Sequence, residues 1–206
     1  MTGIISDNVG RAGGVIKAPS SGAYSVIKSG TATSASDVEF TDMTHDIHVL
    51  DIWCLDLGSA AAIELRFSAD NGSSYLTAQY DNYFTQMYAK TNGNQSAQTG
   101  GPGSGNVEIS LVGAAAAYTS GNNDPMSNNG TGSMMATITF DRNKGGTHIP
   151  YGHAIVAWEP AGWAPAIGVV GFKANLSSGN DIDAMKLIPS SGTFDKVKYR
   201  LIGYSI

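Results

Sequence analysis

Three features of the 206-residue sequence predict an all-β fold, a two-sheet antiparallel β-sandwich of jelly-roll type that carries an extended N-terminal arm. Short runs of β-branched and aromatic residues alternate with clusters of Gly, Asn, Asp and Ser, the pattern of strands divided by turns. Helix signals are nearly absent. The best is Ala114 to Ala117, where Gly113 before it and Thr119 to Gly121 after it leave room for about one turn. Charge is also sparse, since Asp, Glu, Lys and Arg make up 14% of the chain against roughly 25% in an average soluble domain. Solubility must then rest on neutral polar groups, and glycine supplies the positive φ that many turns require.

Residues 1–23 contain Gly10, Gly13, Gly14, Gly22 and Pro19, too many breakers for a regular element. They read as an arm whose one apolar patch is Ile4 and Ile5. Residues 24–206 then form a single sandwich domain, because a chain of this length buries roughly 70% of its unfolded surface around one core. Strands are expected at Tyr24 to Lys28, Val38 to Thr41, His45 to Leu57, Ala61 to Ser68, Ser74 to Tyr80 and Val107 to Val112. Further strands follow at Met134 to Asp141, His153 to Glu159, Ile167 to Ala174, Ile182 to Ile188 and Val197 to Tyr204. In Ala61 to Ser68, Ile63, Leu65 and Phe67 point to the core while Glu64, Arg66 and Ser68 point to water. Asp70-Asn71-Gly72 suits a tight turn and predicts a hairpin joining that strand to Ser74 to Tyr80. Thr91 to Asn106 and Thr119 to Ser133 are polar, glycine-rich and expected to be exposed loops. The last segment alternates Val197, Tyr199 and Leu201 against Lys198 and Arg200, as a paired strand does.

Composition excludes several functions. A net charge of −5 with twelve scattered Lys and Arg offers no positive field for phosphates, so no nucleic-acid partner is expected. The lone Cys54 cannot make an intramolecular disulfide and reads as a small buried hydrophobe. The N-terminus lacks the basic start and apolar block of a signal peptide. The apolar window His153 to Phe172 contains Glu159, Pro160 and Pro165, so membrane insertion is not expected.

No constellation predicts catalysis, a cofactor or a metal. His45 and His48 have a metal-like spacing, yet positions three apart on a strand face opposite ways and cannot converge on one ion. His148 and His153 flank a turn-like stretch and read as polar strand ends. The Asp70 turn lacks the downstream acidic ligand of a calcium loop. Gly10 to Gly14 follows no strand and lacks the lysine of a phosphate-binding loop. The aromatics Tyr151, Trp158 and Trp163 can line a sugar platform or a subunit interface, or fill the core. Trp163, between Gly162 and Ala164 among prolines, is the one most expected to be exposed.

Three segments carry a family resemblance. The opening GIISDNVGRAGGVIKA resembles the N-terminal segment of predicted virion proteins of tailed phages. The block IELRFSADNGSSYLTAQYDNY, Ile63 to Tyr83, resembles their L-R-F-S-x-D-G-G-S-S-Y hairpin, with Asn71 where the group has Gly. The ending DIDAMKLIPSSGTFDKVKYRLIGYSI is similar to their closing strand, S-G-x-F turn and final strand, with RLIGYSI in place of an L-Y-G ending. The resemblance implies a non-enzymatic β-sandwich subunit of a bacteriophage virion, made in the host cytoplasm and assembled with other capsid or tail proteins. A tail-fibre-type appendage is expected, anchored by the arm through Ile4, Ile5 and Arg11. A capsid decoration protein and a module recognising a host surface glycan are the rivals. A homo-oligomer, with a trimer favoured, is expected from the low surface charge and from Trp158 and Trp163.

Overall fold

A computed structural model of the protein describes residues 24–58, 61–77, 80–89, 95–106, 109–112, 134–142, 150–158, 166–175 and 180–205. The regular elements among them are all strands: β1 (Tyr24–Ala35), β2 (Val38–Phe40), β3 (Ile47–Leu57), β4 (Ile63–Ser68), β5 (Tyr80–Ala89) and β6 (Gln95–Asn106), then β7 (Ile109–Val112), β8 (Met134–Asp141), β9 (Tyr151–Trp158), β10 (Ala166–Ala174), β11 (Ala184–Pro189) and β12 (Phe194–Tyr204). They form two antiparallel sheets that pack together. The large sheet runs β1-β12-β3-β8-β9-β10-β5-β6 and the small one β2-β11-β4-β7.

The pairing is nested. β1 pairs with β12 in the large sheet, β2 with β11 in the small, β3 with β8 in the large and β4 with β7 in the small. An antiparallel ribbon rolled so that successive pairs fall on alternate sheets gives this order, the jelly roll expected from the sequence. Two additions depart from the basic roll. β5–β6 follows β4, β9–β10 follows β8, and both pairs join the large sheet through β9–β8 and β10–β5, widening it from four strands to eight.

Alternation decides which side chains fill the roll. In β8, Met134, Ala136, Ile138 and Phe140 are buried, and in β12, Phe194, Val197, Tyr199 and Leu201 are. Phe67 from the small sheet reaches across to Phe140 and Phe172 of the large sheet, with ring centroids 4.9 and 5.9 Å away. The Tyr80 hydroxyl, at the start of β5, accepts the Phe67 amide at 2.7 Å. Gly152 sits directly over this cluster, where a Cβ would collide with the Phe172 ring and the Phe140 Cβ. Its missing side chain is what lets the two rings approach the β9 backbone.

Three expectations are corrected. First, Asp70-Asn71-Gly72 does not close a hairpin. Asn71 and Gly72 do adopt the positive φ of such a turn, at 54° and 87°. Residues 73–77 then run beside β4 without forming a strand, held by a backbone bond of 2.9 Å from the Leu76 amide to the Phe67 carbonyl. Tyr75 donates to Glu39 of β2 at 3.2 Å, and the Lys186 ammonium of β11 lies 4.1 Å from the Tyr75 ring centroid. β5 begins only at Tyr80, in the other sheet. Second, the solvent face of β4 is partly closed: Glu64 and Ser68 are buried rather than exposed, Ser68 within its own turn, where its hydroxyl accepts the Asp70 and Gly72 amides, although Ile63, Leu65 and Phe67 face the core as expected. Third, the expected loop 91–106 contains β6, an edge strand paired with β5. Its ladder is irregular between Gly100 and Gly103, around Pro102, which has no amide proton to donate; an edge is where a sheet tolerates that. The arm 1–23, Ala114 to Ala117, the loop Thr119 to Ser133 and the Cys54 side chain lie outside the described residues.

Asn71 has a structural role of its own. Its side-chain oxygen accepts the Asp42 amide at 2.8 Å, its side-chain nitrogen donates to the Asp42 carboxylate at 3.0 Å, and its own amide donates to Asp183 at 2.8 Å. One residue thereby ties the β2–β3, β4–β5 and β10–β11 connections together, and it holds Asp42 at a φ of 58°. Asn71→Gly keeps the turn conformation but loses the side-chain pair, and should lower stability by about 1–2 kcal/mol in urea titration. An unchanged midpoint would show that water replaces those bonds without cost. A larger effect is expected at the other end of the chain. β12 is paired on both sides, so deleting residues 197–206 strips two ladders and removes Val197, Tyr199 and Leu201 from the core, each contributing about 1.5–3 kcal/mol. The truncated chain should show no cooperative thermal transition by circular dichroism, and a retained one would contradict the role given to β12.

Candidate functional site

Two regions of the described structure gather chemistry-bearing or unpartnered groups: a histidine pair at one end of the core, and the outer face of the large sheet. The pair brings together residues expected to diverge. His45 lies in the bend before β3, so strand alternation does not govern it, and its ring stands edge-on to that of His48 with centroids 6.1 Å apart. The expectation of opposite faces is therefore overturned. His48 points inward, is fully buried and stacks on Phe140 at 5.4 Å. His45 fits beneath Gly203 of β12, where a Cβ would collide with the imidazole, and its Nε2 shares a hydrogen bond of 2.8 Å with the Ser25 hydroxyl of β1.

Ser25 and His45 have the contact of a nucleophile and its base, but the constellation stops there. The His45 Nδ1 is buried with no hydrogen-bond partner, so no carboxylate fixes the tautomer that a catalytic base needs. Neither ring nitrogen of His48 has a partner. Among the described residues no three His, Cys, Asp or Glu side chains come together to hold a metal. Burial, helped by the positive fields of His45 and Arg142 and opposed by Asp46, lowers the His48 pKa from 6.5 to about 4. The pair joins β1, β3 and β12 as a packing unit.

The remaining sequence candidates fall apart in space. His153 is exposed on β9, whereas His148 and Trp163 lie outside the described residues, as do Ile4, Ile5 and Arg11. Tyr151 is 59% exposed, but Trp158 is 3% exposed and points into the core, so it is not available as a sugar platform or interface ring. The Asp70 carboxylate is spent on its own turn. It accepts from the Ser74 amide and hydroxyl and from the Ser68 hydroxyl, and these bonds, Ser74 first, hold it below the usual carboxylate range.

The outer face of the large sheet was not anticipated. On β8, β9 and β10 the outward positions form adjacent rows: Thr137 beside Ile155 beside Val169, and Met135 beside Ala157 beside Ile167. Met135 is 64% exposed, Ile155 51%, and Ile167 and Val169 50% each. Next to them an open depression of about 770 Å³ is lined by Asp51, Trp53, Met135, Thr137, Ile155 and Arg200, among others. Its charges are matched: Arg200 bonds Asp51 at 2.7 Å, and Thr137 donates to the same carboxylate at 3.1 Å. Lys173, beyond the apolar rows, pairs with Asp81 at 2.8 Å. Such a face can bind apolar or aromatic surface. A sequence signal for it exists. Ala154 to Trp158 and Ile167 to Val170 lose the polar alternation of a half-exposed strand and read as strands covered on both sides.

No protein-family model matches the chain, and no curated protein matches it. Among the described residues no helix is long and apolar enough to cross a membrane.

The histidine pair predicts a pH dependence of stability. Folded His48 takes up a proton only near pH 4, whereas the unfolded chain does so near 6.5, so the unfolded state binds more protons between these values. Stability should therefore fall as pH drops from 6.5 towards 4, by roughly 3 kcal/mol in all. Asp70 adds its own loss only below its usual range near 3.8, because its folded pKa is lowered. His48→Leu should flatten the slope between pH 4 and 6.5 while leaving the more acidic limb in place. Equal slopes for the two proteins in urea titrations across this range would refute the assignment.

Proposed function

We propose that the chain is a structural subunit of a bacteriophage particle, an appendage of tail-fibre type anchored by its N-terminal arm through Ile4, Ile5 and Arg11. Two independent lines support this reading: the resemblance of three segments to virion proteins of tailed phages, and a jelly-roll fold of the kind that serves in viral capsid and lectin domains. Fold alone does not assign function. The observation that carries the proposal is the broad apolar outer face of the large sheet, since exposed apolar area of this kind marks contact with another molecule rather than a solvated surface. A non-enzymatic homo-oligomer, a trimer, packed with other virion proteins accounts for that face and for the matched charges beside it. Capsid decoration is the nearest rival, and a glycan-recognition role draws on the exposed Tyr151 ring, which stands 59% free.

Quantitative mass spectrometry of purified particles from a phage encoding the chain tests the assignment. Copies in the range of the fibre proteins are expected; a number matching the capsid protein would move the chain to decoration, and its absence from particles would defeat the proposal. The arm can be tested in the same system. Removing residues 1–22 should leave the circular dichroism spectrum of the domain unchanged, because the arm is rich in glycine and poor in apolar surface, and should abolish incorporation into particles. Normal incorporation of the armless chain would show that anchoring lies elsewhere.

A further inference from the structure

We propose that Asn71–Gly72 is a deamidation site whose reaction the folded chain holds back, so that conversion of Asn71 records unfolding and then hinders refolding. The chemistry needs only this dipeptide and water. The Gly72 amide nitrogen attacks the Asn71 side-chain carbonyl carbon, the new nitrogen–carbon bond closes a cyclic imide, and the side-chain nitrogen leaves as ammonia with the amide proton. Water then opens the imide. Attack at the side-chain carbonyl leaves an aspartate, and attack at the backbone carbonyl leaves an isoaspartate whose main chain runs through Cβ. Glycine as the second residue favours closure, because no Cβ crowds the attacking nitrogen. The reaction is independent of any role in a particle.

Burial does not protect the pair, since Asn71 is exposed on the connection between β4 and β5. Hydrogen bonds do. The carboxamide is clamped at both ends by one residue: its oxygen accepts the Asp42 amide at 2.8 Å and its nitrogen donates to the Asp42 carboxylate at 3.0 Å. The attacking nitrogen is engaged as well, because the Gly72 amide donates to the Ser68 hydroxyl at 2.9 Å. The Asn71 amide donates to Asp183 at 2.8 Å and fixes the backbone between the two reacting groups. Asp42 is itself held, its carboxylate accepting from the Thr41 hydroxyl at 3.3 Å. For ring closure the carboxamide must swing away from Asp42 and Gly72 must give up Ser68. Asp42 and Asp183 lie 29 and 112 residues away in sequence, so their bonds to Asn71 exist only in the folded chain.

The product does not fit the same place. An aspartate at position 71 has no side-chain donor for Asp42 and sets a second carboxylate against it, where Asp183 already accepts the backbone amide and Asp70 is the preceding residue. Like charges at such spacing repel. An isoaspartate also lengthens the main chain of a turn whose positive φ angles are 54° at Asn71 and 87° at Gly72. Because Asn71 ties the β2–β3, β4–β5 and β10–β11 connections together, either product loosens all of them.

Peptide mapping by mass spectrometry of the full chain, incubated at mildly alkaline pH with and without urea, tests the protection. The sequence holds two further Asn–Gly pairs, Asn92–Gly93 and Asn129–Gly130, which are read separately. Conversion at Asn71 should be at least about tenfold slower in the folded protein than in urea, since several hydrogen bonds are surrendered on the way to closure and each slows it a few-fold. Equal rates, or a faster rate in the folded protein, overturn the proposal. Asp42→Gly accepts the positive φ and removes the carboxylate from the clamp. With an unchanged circular dichroism spectrum it should deamidate several-fold faster than the wild type, and an unchanged rate overturns the role of Asp42. The effect on refolding is read from Asn71→Asp, which carries the charge of the product without any reaction. Its urea midpoint should fall below that of Asn71→Gly at low ionic strength and approach it in about 1 M salt, where the Debye length is only ~3 Å. A midpoint at or above that of Asn71→Gly overturns the link to refolding, and a gap that salt leaves unchanged overturns its electrostatic cause.

Discussion

The contact on which the two sheets depend is the insertion of Phe67 between rings of the opposite sheet. β4 contributes this one side chain to a cluster made by Phe140 of β8, Phe172 of β10 and Tyr80 at the start of β5. Those strands are far apart in sequence, so the cluster joins the basic roll to both added pairs of strands. It also explains two local features that otherwise look arbitrary. Gly152 is a glycine because the Phe140 and Phe172 side chains occupy the space of its Cβ, and Tyr80 is a tyrosine whose hydroxyl reaches the Phe67 backbone inside the core. Replacing a buried ring by a smaller side chain here would leave a cavity shared by both sheets, where costs are commonly about 3–5 kcal/mol.

Nested pairing follows from the same requirement. A sheet with one apolar face must meet another, and a ribbon that rolls so that successive pairs change sheet supplies both layers from one chain. The alternation in β8 and β12 made those strands legible in the sequence, because period-two patterning survives wherever one face is buried and the other is wet. Turn chemistry was legible only in part. Asn71 and Gly72 take the backbone conformation that suits them, but the path that follows is set at a distance, by Glu39 and Lys186 around Tyr75 and by Asp183, which accepts the Asn71 amide. β6 was hidden for a different reason. A glycine-rich edge strand pairs through backbone alone, and residues such as Gly100, Gly101 and Gly103 leave no hydrophobic period to read.

The site was less legible than the fold. Strand alternation is a sound rule for His48 but fails for His45, which stands outside the strand and swings inward because Gly203 leaves room for its ring. Two residues apart by three positions therefore meet, through a vacancy contributed by a strand about 150 residues later. Trp158 illustrates the converse error of reading an aromatic by type. It ends β9 on an inward position, and its neighbour Ala157 takes the outward one. The exposed band was overlooked because no single residue in it is chemically distinctive; it is a property of rows formed by three strands, visible only once their register is known.

The two faces of the large sheet are thus linked by its widening. A roll of eight strands closes with four in each sheet, and each sheet then covers the other. Adding β5, β6, β9 and β10 to one side alone extends the inner face, where Tyr80, Trp158, Val170 and Phe172 are accommodated as core. It extends the outer face by the same four strands. Polar side chains at the outward positions of β9 and β10 would have made that surface an ordinary solvated one, yet Ile155, Ile167 and Val169 occupy three of those positions, with charged partners matched at the margin. Burying side chains of this size is worth about 1.5–3 kcal/mol each, a contribution the isolated domain forgoes and an assembly can recover. The added strands are therefore the part of the fold in which burial on one face and exposed apolar surface on the other draw on one element of sequence.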